Sequence, residues 1–81
     1  MAQRVLTAFP KRHFAITKSD TTKFHKPTTV YVGVTGNVAV KDWETGTVLT
    51  YVGVPAGSVV PVLVEMVYST NTTAPSMIGI Y

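Results

Sequence analysis

The stretch Thr29-Val30-Tyr31-Val32-Gly33-Val34-Thr35-Gly36-Asn37-Val38-Ala39-Val40-Lys41-Asp42-Trp43 decides the fold class. Valine falls at every second position on either side of Thr35-Gly36-Asn37, which is the two-residue period of a strand. β-Branched and aromatic residues fit such a pleated surface. Gly36 and Asn37 supply the turn chemistry between the two runs, so the spacing predicts a hairpin with a three-residue loop. Val34 then opposes Val38, and Val32 opposes Val40. A second loop at Glu44-Thr45-Gly46, with Gly46 left-handed, sets Val40 against Thr50 and Val38 against Val52. Both loops bring the same valines to one face, whereas a slip of one residue would turn them to the other. The predicted core face is Val30, Val32, Val34, Val38, Val40, Val48 and Val52, joined by Ile78 and Ile80 from the end of the chain.

Working outward, residues 29–34, 38–43 and 47–52 read as the first three strands. A turn follows at residues 54–57 with Pro55 at its second position, where a fixed φ fits. Residues 59–68 read as one long strand, apolar on both parities with Glu65 as its only charge, and hence covered on both sides. Pro61 lacks a ladder donor, so it belongs at a strand start, a bulge or an edge. A polar loop at residues 69–76 leads to a last strand at 77–81. The face opposite the valines carries Tyr31, Ala39, Lys41, Trp43, Leu49 and Tyr51. It either meets another subunit or the arm, or it is the second internal face of a sandwich. The expected fold is all-β: a small antiparallel β-barrel or β-sandwich of five to six strands over residues 27–81, with an extended basic N-terminal arm over residues 1–26.

Charge divides the chain at the same point. Residues 1–26 hold six of the seven Lys and Arg (Arg4, Lys11, Arg12, Lys18, Lys23 and Lys26) against one acid, Asp20, a net of +5. Residues 27–81 hold Lys41 against Asp42, Glu44 and Glu65, a net of −2. The arm shows neither helical nor strand periodicity, and its first dozen residues are expected to order only on a partner. With 81 residues, no cysteine and 46% apolar composition, the chain has a small core and no covalent or thiolate staple, so assembly of several copies is a remaining source of stability.

No catalytic constellation emerges, and neither enzyme activity nor a cofactor is expected. His13, Asp20 and His25 match no metal-ligand spacing. Asp42 and Glu44 flank a turn rather than a cleft, and the glycines lack the Gly-Lys-Ser/Thr ending of a phosphate loop. No apolar run approaches the length of a membrane span, and the first residues lack the apolar core of a signal peptide, so synthesis in a cytoplasm is expected. Asn71-Thr72-Thr73 reads as turn chemistry. Lys11-Arg12-His13-Phe14 and Lys23-Phe24-His25-Lys26 interleave cations with aromatics, the ingredients of a single-stranded nucleic-acid-binding module.

Four segments in order carry a resemblance: Ile16-Thr17-Lys18-Ser19-Asp20-Thr21-Thr22; Val30 to Val40 with its Tyr31-Val32-Gly33 and Gly36-Asn37-Val38-Ala39-Val40; Val52-Gly53-Val54-Pro55-Ala56-Gly57-Ser58-Val59-Val60-Pro61-Val62; and the closing Ile78-Gly79-Ile80-Tyr81. Together they resemble the small virion proteins of tailed phages and gene transfer agents, of the head-spike base or capsid decoration type. The chain departs from that pattern in the Lys23-Phe24-His25-Lys26-Pro27 insert and in the basicity of its first 15 residues. The resemblance implies a non-enzymatic structural protein of the virion, assembled in the host cytoplasm, that decorates or cements the capsid or forms a spike base. Its expected partners are the major capsid protein or other virion proteins and further copies of itself, as a trimer or pentamer. Arg4, Phe9, Lys11, Arg12, Phe14, Lys18, Lys23, Phe24 and Lys26 are the candidate docking residues. Tyr31, Trp43 and Tyr51 are the candidates for self-association. A tail, fibre or connector component is the alternative within the virion.

Overall fold

The computed structural model describes residues 12–81. Seven strands follow in order: β1 (His13–Ala15), β2 (Thr29–Val32), β3 (Gly36–Asp42), β4 (Val48–Val54), β5 (Ser58–Val59), β6 (Val64–Val67) and β7 (Met77–Ile80). They form two antiparallel sheets, ordered β1-β7-β2-β5 and β4-β3-β6. The core lies between them. Val30 and Val32 of β2 meet Val38 and Val40 of β3 and Val64 and Val67 of β6, with Val60, Ala74 and Met77 completing the cluster. Each fully buried valine contributes about 1.5–3 kcal/mol.

The all-β class and the sandwich alternative hold, and the barrel alternative does not. On one side a bridge between Thr28 and Val64 joins the two sheets. On the other, the edge strands β4 and β5 have no ladder between them, so the sheets never close on each other. Seven strands replace the expected five or six for two reasons. Residues 13–15 of the arm add a strand to β7. The long run at 59–68 is cut into β5 and β6, which belong to different sheets. Pro61 sits in that cut, where it removes no ladder bond.

The decisive stretch folds differently from its hairpin reading. β2 does not pair with β3. Both of its edges are occupied, by β7 (Val30 opposite Gly79, Val32 opposite Met77) and by β5 (Tyr31 opposite Val59). Residues 33–35 therefore carry the chain from one sheet to the other, with the Gly33 N–H donating to the Ser76 carbonyl at 2.8 Å. The valines meet as expected, but face to face across the sandwich rather than side by side in a ladder. Val34 lies in the crossing and is half exposed.

The β3–β4 hairpin is real but one residue longer in its loop. Gly46 takes the expected left-handed conformation at φ 74°. Asp42, however, closes a four-residue loop: its N–H donates to the Thr47 carbonyl at 2.9 Å, and its Oδ1 accepts from the Glu44 N–H at 3.0 Å. Such Asx turns compete with the ladder for the last strand residues. The register becomes Val38 opposite Tyr51 and Val40 opposite Leu49. That slip turns Tyr51 against the core, leaves Leu49 on the same face but 60% exposed at the sheet edge, and sends Val48 and Val52 to the other face, 51% and 78% exposed. A similar correction applies to the last strand. Met77 and Gly79 face inward, while Ile78 opposes Tyr31 and Ile80 opposes Thr29 on the outer face.

The polar loop at 69–76 extends β3 beyond the end of β6. Asn71, at φ 69°, reverses the chain. The Asn37 carbonyl accepts from the N–H groups of Thr73 and Ala74, and the buried Thr72 Oγ1 accepts from the Ala39 N–H at 2.9 Å. Thr72→Val keeps the shape and leaves the Ala39 N–H without a partner. We expect it to cost about 1–3 kcal/mol in urea unfolding; an unchanged midpoint would mean that water replaces the hydroxyl.

Candidate docking groove

From Arg12 to Thr28 the chain is woven along both sheets. Arg12 and Tyr81 exchange backbone hydrogen bonds at 2.8 and 2.9 Å, and Ile16 donates to Met77 at 3.1 Å, which fixes β1 on β7. The chain then crosses to the other sheet and covers the free edge of β6. Ser19 donates to the Val67 carbonyl at 3.0 Å, Phe24 to Glu65 at 2.8 Å, and Thr28 exchanges two bonds with Val64 at 3.2 and 2.8 Å.

Three consecutive side chains lock this segment. The Lys18 Nζ donates to the Thr72 carbonyl at 2.9 Å. Ser19 Oγ accepts from the N–H groups of Thr21 and Thr22, both at 3.2 Å. The Asp20 carboxylate clasps the 69–72 loop: Oδ1 accepts from the Ser69 and Thr70 N–H groups at 2.9 Å each, and Oδ2 from the Thr70 hydroxyl at 2.7 Å. The Thr70 N–H, then its hydroxyl, then the Ser69 N–H favour the charged form, and they hold the Asp20 carboxyl below its ordinary value of 3.8.

The woven segment builds a groove at one end of the sandwich. Its floor is aromatic. The Phe14 ring meets Phe24 edge-on at 5.4 Å and Tyr81 at 5.8 Å between centroids. Phe14 lies so close over Gly79 that a Cβ there would come within 2.5 and 2.6 Å of its ring carbons. Only glycine on β7 leaves this seat open. The rim is basic: Lys23, His25 and Lys26 line the opening, with the Lys26 Nζ 5.5 Å from the Tyr81 ring centroid, in cation–π range. The open volume is about 400 Å³. The remaining charges of the described residues lie elsewhere. Lys41 pairs with Glu65 at 3.6 Å, and Asp42 and Glu44 sit at the β3–β4 turn.

The candidate docking residues fall into three sets. Arg4, Phe9 and Lys11 lie outside the described residues. Arg12, Lys23 and Lys26 are exposed. Lys18, Phe14 and Phe24 are half-buried and engaged with the fold. Tyr31, Trp43 and Tyr51 are not gathered into one patch. Tyr31 lies on the outer face of the four-stranded sheet, Tyr51 packs against the core from β4, and Trp43 sits in the β3–β4 loop, its N–H donating to Leu63 at 2.9 Å. Gly79, Tyr81 and the partners of Asp20 were not foreseen. The Lys-Ser-Asp-Thr-Thr run marks a turn, but nothing in its spacing points to a loop 50 residues away. Among the described residues no three of His, Cys, Asp and Glu come together, and no helix is long and apolar enough to cross a membrane.

This open antiparallel sandwich, edged by its own N-terminal segment and carrying a basic, aromatic-floored groove, has the form of a small binding or structural module. No protein-family model matches the chain, and no curated protein matches it. Among solved structures the chain is similar to one from the capsid of a native gene transfer agent particle computed with C5 symmetry. The two share 37% identity over 86% of this chain and 81% of that one, with a TM-score of 0.73. The chain belongs to the family of that capsid component and is a phage-like virion structural protein.

The Asp20 clasp gives a pH signature. A carboxyl whose folded pKa lies below its unfolded value stabilises the fold above the unfolded pKa, and this stability is lost as pH falls through the folded one. Asp20→Asn should therefore lower the urea midpoint at pH 7, and the difference from wild type should shrink below pH 3.8. A pH-independent difference would assign the loss to geometry rather than charge.

Proposed function

We propose that this protein binds the surface of a phage-like capsid as a decoration or cement protein, or as the base of a head spike. The likeness to the gene transfer agent capsid chain is the observation that carries this reading. The groove and the charge division support the mode of attachment. Arg4, Lys11, Arg12, Lys18, Lys23 and Lys26 dock on an acidic surface of the major capsid protein or another virion protein, assembled in the host cytoplasm. Phe9, Phe14 and Phe24 supply apolar anchors, in keeping with aromatic enrichment at interfaces. Copies also associate with one another, with Tyr31, Trp43 and Tyr51 as contact candidates. Many modest contacts on one shell then hold far more firmly than one.

A second reading rests on the alternation of Phe14, Phe24 and Tyr81 with Lys23 and Lys26, which would also suit stacked bases and phosphates. Cosedimentation with capsids lacking the protein, set beside filter binding to a single-stranded oligonucleotide across salt, separates the two. Lys23→Glu with Lys26→Glu should weaken capsid binding by at least about tenfold, or roughly 1.4 kcal/mol, and leave the fold intact. Undiminished capsid binding by the double variant would remove the groove rim from the interface. Tight, steeply salt-dependent oligonucleotide binding without capsid binding would favour the second reading.

A further inference from the structure

Among the described residues four sheet edges end this sandwich, and three are blunted. β1 has three residues and follows directly on Arg12. β5 has two residues and runs into Pro61. The free edge of β6 is covered by residues 19–28 through their hydrogen bonds to Val67, Glu65 and Val64. β4 is the exception. It runs for seven residues, Val48–Val54, with no charged residue and no proline; its one bulge, opposite Gly36–Val38 with Gly53 at φ 66°, is confined to its far end, and Val48, Leu49 and Val52 are 51%, 60% and 78% exposed. Soluble proteins normally protect such an edge with charge, proline, a bulge or a cover.

The register states which groups are free. Asp42 donates to Thr47, and fully bonded pairs alternate along an antiparallel ladder, so Leu49 and Tyr51 turn their backbone groups to β3. Gly53 follows the same parity, donating to Asn37 Oδ1 at 2.9 Å. Val48, Thr50 and Val52 therefore direct N–H and C=O outward, to the side on which no strand of the described residues lies.

We propose that β4 is a pairing edge for a second copy of this chain, antiparallel about a two-fold axis through Thr50. The outward groups of residues 48, 50 and 52 are all engaged at once only when Thr50 faces Thr50 and Val48 faces Val52. This register also sets Leu49 of one copy opposite Tyr51 of the other. Every cross-strand pair is then apolar on apolar or threonine on threonine, the combinations that stabilise a ladder, and no like charges meet. The strand is thus complementary to itself, which an isologous contact requires. The two three-stranded sheets become one six-stranded sheet, and the open side of each sandwich is covered. The unit formed by this edge is a dimer, in place of the trimer or pentamer expected from the sequence. The pairing is a property of the isolated protein, so it stands or falls separately from capsid docking.

Light scattering of the purified full chain over a range of concentrations is the test. The wild type should be a dimer that dissociates on dilution. Thr50→Pro removes an outward N–H without touching the β3 ladder, and Val52→Lys places a charge on the edge. Each should raise the dimer dissociation constant by at least about tenfold while the far-UV circular dichroism stays unchanged. Thr50→Cys, in a chain without other cysteines, should form a disulfide-linked dimer in air, since residues facing each other across the axis lie within bridging distance. A monomer at all concentrations overturns the proposal. So does a trimer or pentamer, or an assembly that Val52→Lys and Thr50→Pro leave intact. A dimer abolished by deleting residues 1–11 but indifferent to both β4 variants would overturn it in favour of an exchanged arm.

Discussion

Thr28 and Val64 exchange two backbone hydrogen bonds, and the rest of the structure depends on where that pair sits. Among the described residues it is the one bridge between the two sheets. From Thr28 the chain enters the four-stranded sheet as β2, and from Val64 it continues the three-stranded sheet as β6. The distance between the sheets is thereby set by main chain on one side, and the valines of β2, β3 and β6 fill the space it defines. The segment before Thr28 has no choice but to run along the outside of β6, where its N–H groups find the Glu65 and Val67 carbonyls.

That constraint makes the molecule asymmetric. One side of the sandwich is sealed by its own N-terminal segment, and the other is left open between β4 and β5 among the described residues. The sealed side collects the positive charge, because Lys18, Lys23 and Lys26 all belong to the sealing segment. The open side collects the exposed apolar residues of β4. Two surfaces of opposite character result: a basic groove suited to an acidic partner, and an uncharged strand edge suited to backbone pairing. A structural protein present in many copies on a shell can use one for the shell and one for its neighbour.

The sealing segment is held by polar contacts rather than by burial. Asp20 is fully exposed yet makes three short hydrogen bonds to the 69–72 loop, and Lys18 bonds the Thr72 carbonyl on the same loop. Aromatic packing of Phe14 on Gly79 and Phe24 completes the attachment. The groove is therefore a by-product of edge protection: the residues that close β6 also form its wall. In a small chain without disulfides, such double use of one segment is an economical way to add both stability and a binding surface.

Sequence by itself determined the strand class, the turns at Gly46 and Asn71, the exclusion of Pro61 from a central ladder position and the identity of the central valines. Each of these is set by local chemistry: a two-residue apolar period, a left-handed φ, a missing donor. The division of charge was equally legible, since it is a matter of composition along the chain. Tertiary structure decided which strands pair. Val30, Val32, Val38 and Val40 are compatible with a hairpin ladder and with a face-to-face core, and only the claims of β5 and β7 on the edges of β2 choose between them. The one-residue slip of the β3–β4 register was decided by the Asp42 side chain, a competition too fine for periodicity to detect. Gly79 and Tyr81 entered the groove, and β1 and residues 16–28 became part of the fold, because a free sheet edge far away in sequence offered unpaired carbonyls. Long-range backbone pairing leaves no periodic trace in the segment that satisfies it.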